Sequence, residues 1–502
     1  MIGVYMNGTY ETKRVPKHNK LRLGFLKYGA DKIALFGFFV VALLVARFIV
    51  ASRFAIVLSE PIKLDYAGLS VSIPVGNGWQ SEKQWKYQED TFTLSSFFDF
   101  GSGSVTALVY CRYLLAAPKS TPDILFKEKA SAIGGAIAET GQTVTGGRGS
   151  SFPKSSQNGV PLTIDWAHIK KPRTLFDTFI GTAQLPNNRQ LNIEVYQTAS
   201  DTELAEVVFK RIVESLKFKG NQLLEAGGEI VAEIKSKGLN SFLGSHFWGG
   251  SAKGAREGVP LDSQRREDFF LIKDVRGRTI GFTMDVLTEG GGNSETVRWK
   301  TIEPSRSPTV WPINMWAVRL FYVRDRYTRE ETAFFQSRNN LDEFAWKSEV
   351  SGPAGRSSTE VVLDKAGIMT VRKYGVWAKE KTYQLSPVAI PDVFGEFAFG
   401  QMLDSNQEKI FLDIVEADGT ILPTLISRIE AKDIAASEEA AYVFGVEFLD
   451  GRGFSQQIYL DDQMRITKRL LRQESIYTLE RTSIENILRQ FPEQAEYILH
   501  KE

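Results

Sequence analysis

The sequence predicts an α+β protein, with one N-terminal apolar helix, an α/β sandwich domain, and a mainly antiparallel β domain containing an internal repeat. Three observations predict it. Residues 33–58 are almost free of polar side chains, residues 62–219 mix strand patterns with capped helix patterns, and residues 261–482 run strand after strand with tight turns between them. At 502 residues the chain exceeds the ~100–200 residues of a single domain. Hydrophobic residues at 43% and charged residues at 24% are ordinary for globular chains.

Residues 1–32 form a basic tail, with seven Lys/Arg against Glu11 and Asp31. Ile33 to Ala46 is then apolar without interruption, and after Arg47 the run resumes as Phe48 to Ser52 before Arg53. About 20 such residues make a helix that crosses roughly 30 Å of hydrocarbon, with Arg47 snorkelling to the interface. The basic stretch is long for a cleaved signal peptide and no Ala-x-Ala site follows. The sequence therefore predicts a single-pass, uncleaved signal anchor over residues 33–58, with membrane lipid as its partner. The positive-inside rule places residues 1–32 in the cytoplasm and the body outside the inner membrane, in a periplasmic or equivalent space. That body carries 52 Lys/Arg and 58 Asp/Glu. A net negative body lacks the clustered positive charge that nucleic acid requires.

In residues 62–219, Leu69, Val71 and Ile73 alternate as a half-buried strand before a turn at Val75-Gly-Asn-Gly-Trp79. Strand patterns follow at 91–98, 105–115, 162–169, 176–185 and 191–197. Thr121 with Pro122 opens a helix to about Ala138, and residues 141–159 are a Gly/Ser-rich loop. Ser200-Asp-Thr-Glu203 is a capping box for a closing helix whose Leu204, Val207, Val208, Ile212 and Leu216 share one face. This succession, with Pro74-x-Gly76-x-Gly78-Trp79 after the opening strand and Ile212-Val-Glu-Ser-Leu216-Lys-Phe218 at the close, resembles the PsbP-like α/β/α sandwich over about 155 residues. The resemblance implies a docking module that binds partners or supports larger assemblies.

Residues 220–260 are read as a helix from Asn221 to Leu243 and a Gly/Ser-rich linker. In residues 261–482 strand patterns recur at 269–274, 279–288, 295–302, 316–323 and 343–350, with too little helix between them for parallel crossovers. Two similar hairpins, Val361 to Lys373 around Asp364 and Ile458 to Lys468 around Asp461, stand 97 residues apart and suggest the internal repeat. Residues 390–403 supply one helix against the sheet, and residues 483–502 a C-terminal helix capped at Thr482-Ser-Ile-Glu485 and broken by Pro492. A curved antiparallel sheet with a helix across its concave side is similar to the half-barrel of bacterial lipoprotein-localisation carriers. That resemblance implies an apolar hollow able to take an acyl chain; the competing reading is that Met369, Trp377, Phe394, Phe397 and Phe399 fill a packed core.

No catalytic, cofactor-binding or metal-binding residue is assigned, and no cofactor is expected. His18, His168, His246 and His500 have no second ligand at helical spacing, and Cys111, the one cysteine, reads as a buried strand residue. Ser151-Phe-Pro-Lys154 matches Ser-x-x-Lys without a convincing helix. Asp364, Asp461 and Asp462 fall in hairpin turns, where Asp is favoured for its local hydrogen bonds. Trp299, Trp311, Trp316 and Tyr322 are read as sheet packing rather than a glycan groove. The leading expectation is thus a non-enzymatic binding or scaffold protein of a bacterial envelope, with protein partners or a homo-oligomer. A lipid- or lipoprotein-handling factor and an envelope hydrolase are the alternatives.

Overall fold

The computed structural model of the chain describes residues 56–76, 78–99, 105–118, 164–169, 176–198, 202–243, 265–289, 313–324, 327–338, 340–353, 355–374, 379–430, 440–451, 453, 455–472 and 476–499. Within them the fold is mostly β, dominated by one 16-stranded sheet beside a seven-stranded one, which corrects the α+β expectation. Strands Tyr327–Ser337, Lys379–Gln384, Lys409–Val415, Ile421–Ile429 and Tyr442–Phe448 add to those anticipated. The Lys409–Val415 strand shows why they escaped notice: it is buried on both faces and reads as a short apolar run without alternation.

A second correction concerns the membrane. No helix among the described residues is long and apolar enough to cross one. The expected span at 33–58 lies outside the described residues as far as Ala55, and at its far end Val57–Leu58 is strand rather than helix. The transmembrane helix, with its single-pass and signal-anchor assignment, is therefore withdrawn. The extracytoplasmic placement that rested on it goes no further.

The seven-stranded sheet is antiparallel. Its order is Asp165–Ile169, Phe176–Leu185, Arg189–Thr198, Val105–Leu114, Thr91–Asp99 and Trp79–Ser81, with Lys86–Gln88 also pairing to Thr91–Asp99. Helix α1 (Thr202–Ser215) lies on it through buried Val208, Phe209 and Ile212, while Val207 turns out 44% exposed. Gly181 makes the close approach possible, since an added Cβ would come within 2.8 Å of the Phe209 ring. The expected helix at 121–138 and the loop at 141–159 lie outside the described residues.

The 16-stranded sheet runs as two antiparallel meanders. One begins at Lys409–Val415 and ends at Ile476–Thr482, which pairs with Arg265–Lys273, the start of the second meander. That meander ends at Lys379–Gln384, and only Ala389–Pro391 pairs in parallel, with Lys409–Val415. Beyond Lys379–Gln384 only the short strand Ala117–Pro118 is added, and Lys379–Gln384 is separated from the opposite edge, Ala389–Pro391, by residues 385–388 of chain, a reach of at most ~18 Å, so the sheet curls on itself like a barrel. The turn after Lys409–Val415 completes the curl: Ser348 Oγ donates to the Ala417 carbonyl at 3.0 Å, and Gly419 sits so tightly on Val371 that a Cβ there would come within 2.6 Å of it.

Turn chemistry explains the meander. The Oδ1 atoms of Asp274, Asp364 and Asp461 each accept two backbone N–H bonds of 2.8–3.0 Å, and the third residue onward, Gly277, Gly367 or Met464, has positive φ. The hairpins at Asp364 and Asp461 are as anticipated, but Asp274 has the same turn, so their 97-residue spacing does not single out one pair. On the outer face, helix α4 (Ile484–Gln490), capped by the Ser483 hydroxyl, and the following turn bring Ile487, Phe491 and Ile498 onto Phe269, Leu271, Phe282 and Val318. Trp316 and Tyr322 pack into this same cluster.

Leu58–Glu502 forms one compact unit. Helix α2 (Gln222–Lys237), with Asn221 as N-cap, lies on the Lys409–Val415 strand, and Asp413 of that strand joins the two sheets. Arg189 Nη2 donates to Asp413 Oδ2 at 2.7 Å and to the Tyr66 hydroxyl at 2.8 Å, while that hydroxyl donates to Asp413 Oδ1.

Candidate binding hollow

Side chains alternate between the two faces of a strand, so the register of the large sheet decides what lines its interior. Inward positions of the Lys409–Thr482 meander carry Ile414, Ile426, Val446, Ile458, Leu471 and Leu479, with Glu416, Thr424, Gln456, Arg469 and Tyr477 among them, a mixed wall that is largely apolar at its centre. Inward positions on the other meander carry Arg266, Asp268, Asp285, Arg319 and Glu331, a wall of charges. Between them is a hollow of about 630 Å³, here called the chamber.

The segment Asp392–Asp404, a 3-10 turn followed by helix α3 (Phe397–Asp404), closes the chamber on one side. Phe394 is fully buried, 5.2 Å from the Phe335 ring and 5.4 Å from the Phe397 ring, and Phe399 stacks on Phe444 at 4.7 Å. Met369, Phe394 and Phe397 are therefore packed core, Phe399 is buried on Phe444 and also lines the chamber, and Trp377 lies outside the described residues. The polar side of this segment meets the charged wall. Arg266 bonds Glu396 at 2.9 Å and Asp268 at 2.6 Å, Arg469 bonds Glu396 at 3.3 Å, Arg481 pairs with Asp268, and Arg319 bonds Asp392 at 2.9 Å.

A second hollow of about 610 Å³, the vestibule, adjoins the chamber and shares Arg319, Arg329, Glu331, Asp392 and Glu416 with it. Its other lining residues include Asp418 and Asp450 in hairpin turns and Val350 near a strand end, which places it where the interior reaches the hairpin tips. Tyr87 and Glu89, from the region of the smaller sheet, complete the rim.

The electrostatics are uneven. Burial pushes the Glu331 carboxyl up from its usual range, with Arg319 opposing. Burial would do the same to Glu396, but Arg266 and Arg469 outweigh it and hold that carboxyl below the usual range. A depressed carboxyl stabilises the fold above its unfolded pKa, ~4.3 for Glu, and loses that contribution as pH falls through the folded value. We therefore expect Glu396→Gln to be destabilised against wild type at neutral pH, with the gap closing as pH falls below about 4.3. A gap in urea midpoint that stays constant from pH 7 to pH 3 would refute that assignment.

Other residues singled out in the sequence lie apart from the hollow. Cys111 is fully buried in the smaller sheet, and burial, with Glu194 nearby, pushes its thiol up to about 12. His18, His246, His500, Ser151, Lys154, Trp299 and Trp311 lie outside the described residues, and His168 sits on the Asp165–Ile169 strand. Among the described residues no group of three His, Cys, Asp or Glu is placed to hold a metal ion. Sequence reasoning missed the charged wall, although a signal existed. Thr283 and Asp285 are polar at alternate positions between Phe282, Met284 and Val286, whereas Arg266 and Asp268 lie within the charged run Arg265 to Asp268, and Arg329 and Glu331 within the polar run Thr328 to Thr332, where no alternation marks the inward face.

No protein-family profile matches the chain, and no curated protein is similar to it. Two solved structures share some of its shape. A beta-barrel-like protein of the domain of unknown function DUF1849 from Brucella abortus is 8% identical, with TM-score 0.29, over 43% of this chain and 95% of that one. A DUF1089 family protein from Pseudomonas aeruginosa is 10% identical, with TM-score 0.19, over 31% and 82%. Neither is described as PsbP-like or as a lipoprotein-localisation factor, and scores this low carry no argument about fold or function.

Proposed function

We propose that this chain is a non-enzymatic binding protein that holds one amphiphilic small molecule inside its curled sheet. One observation carries the reading: a hollow of about 630 Å³ in which a patch of aliphatic side chains, Ile426, Val446, Ile458 and Leu471 among them, lies beside a network of ion pairs. Ligand sites typically measure ~300–1,000 Å³ and combine apolar walls with a few placed polar groups. The charged side chains nearest the helix segment are locked to one another, an arrangement suited to orienting a ligand rather than to proton or acyl transfer. Of the readings the sequence leaves open, this favours carriage of a ligand over scaffolding or hydrolysis.

Native mass spectrometry of the full chain purified from its own cells tests it. A mass excess of one small molecule per chain, lost on denaturation, is expected. Leu471→Trp and Gln456→Trp, at half-buried lining positions, should abolish the excess while far-UV circular dichroism stays unchanged. A wild-type protein that carries no adduct and takes up no alkyl probe would rule the proposal out.

A further inference from the structure

We propose that Gln456 selects the ligand of this hollow, an amphiphile whose apolar body carries an uncharged hydrogen-bonding oxygen, a carbonyl or a hydroxyl, at the level of that side chain. The inference rests on the hollow being a binding site and adds which kind of molecule it takes. It follows from one side chain that has no partner in an otherwise apolar patch.

Strand register sets Gln456 within the aliphatic patch. It stands opposite Val446 on one neighbouring strand and Leu471 on the other, and Val446 in turn stands opposite Ile426. Ile458 lies two positions further along the same strand and so on the same face. All of these line the chamber. Opposed side chains on one face have Cβ atoms ~5 Å apart, so the Gln456 amide sits among methyl groups. Other polar side chains of the chamber are tied down: Arg266 bonds Asp268 and Glu396, Arg469 bonds Glu396, and the Thr424 hydroxyl donates to the Leu422 carbonyl at 2.9 Å. The Gln456 amide makes no hydrogen bond to any described residue and, half-buried, opens on the hollow.

A side-chain amide offers two N–H donors and an acceptor oxygen, and solvent satisfies them when it can reach them. A ligand laid over Val446, Ile458 and Leu471 displaces that solvent. If the ligand is plain hydrocarbon, the amide is then covered without a partner and the full desolvation cost falls on binding. A carbonyl or hydroxyl oxygen at the same level accepts from Nε2 and removes that cost. A charged group there would be stripped of water among Ile426, Val446 and Leu471 with one amide in exchange, so the oxygen is uncharged. An apolar wall tells similar hydrocarbons apart only weakly, whereas a site that hydrogen-bonds its ligand rejects the analogue lacking the bonding group. Gln456 is thus the specificity-determining residue of the patch.

Displacement of Nile red from the full chain by hexyl methyl ketone, octanol and octane, each within its solubility, decides the matter. Octane is the most hydrophobic of the three, so a wall without Gln456 would bind it tightest. The wild type should instead prefer the ketone and octanol. Gln456→Leu should shift the ratio of ketone to octane affinity towards octane by about tenfold. Gln456→Met, closer to glutamine in shape, should do the same, with far-UV circular dichroism unchanged in both. A wild type that prefers octane, or a ratio that neither variant moves, overturns the role of Gln456; if Leu471→Trp still removes binding, the hollow remains a site. If the dye does not bind, or binding survives Leu471→Trp, the hollow itself is not the site.

Discussion

Asp413→Asn should destabilise the protein by about 3–5 kcal/mol, the cost of leaving a buried guanidinium without its carboxylate. Asp413 and Arg189 are 0% and 1% exposed, and Tyr66, also buried, completes the cluster. Burial keeps the Tyr66 hydroxyl protonated by raising its pKa well above the ordinary value, so it can donate to Asp413 while accepting from Arg189. The pair is the charged contact through which the smaller sheet meets the Lys409–Val415 strand, so its loss should loosen that junction rather than one strand. Replacing both partners, as Arg189→Met with Asp413→Leu, should cost far less than the two single changes added together, because the desolvation penalty goes with the charges. Guanidinium-chloride unfolding of the four proteins measures this. A loss below about 1 kcal/mol for Asp413→Asn would mean that solvent reaches the site.

Gly227→Ala should destabilise by about 1–3 kcal/mol, although alanine in a helix interior normally gains about 1 kcal/mol over glycine. The reason is steric. An added Cβ at Gly227 would stand 1.8 Å from the Phe411 carbonyl oxygen and 3.0 Å from Leu412, so helix α2 must lift off the strand it covers. Gly400, inside helix α3, is the control: a Cβ there meets nothing within 4 Å, and Gly400→Ala should be neutral or stabilising. Both variants share the change in chain entropy, so the difference between them isolates packing. Equal urea midpoints would show that α2 is not seated closely on the sheet.

Much of the strand content was legible because half-buried strands alternate. Phe176–Leu185 and Val105–Leu114 appear close to their expected bounds, and Asp364 and Asp461 announced their turns through a residue type that bonds its own backbone. The fold class was not legible, because weight was given to helices on residues 33–58 and 121–138, whereas the strands of 409–448 carried little alternation to announce them. The interior was half legible. A helix over 390–403 against a curved sheet is the expectation; only Phe397–Asp404 is α-helix, after a strand at Ala389–Pro391 and a 3-10 turn at Asp392–Phe394, and Phe397 is packed as core. The hollow beside it depends on Arg319, Asp392 and Glu396 meeting across strands distant in sequence, and no local pattern encodes such a meeting.

The order of strands in the large sheet governs how the chain can be built. Arg265–Lys273 leaves the ribosome well before one of its two neighbours, Ile476–Thr482, and the Asp268–Arg481 pair spans 213 positions. Until then that strand presents an unpaired edge with Phe269, Phe270 and Leu271 on it, the kind of surface that seeks another chain. Closing so long a loop before its contacts stabilise it makes folding slow. Nascent copies are therefore most exposed to mispairing while the second meander waits for the first, and dependence on a chaperone is the natural cost of this topology.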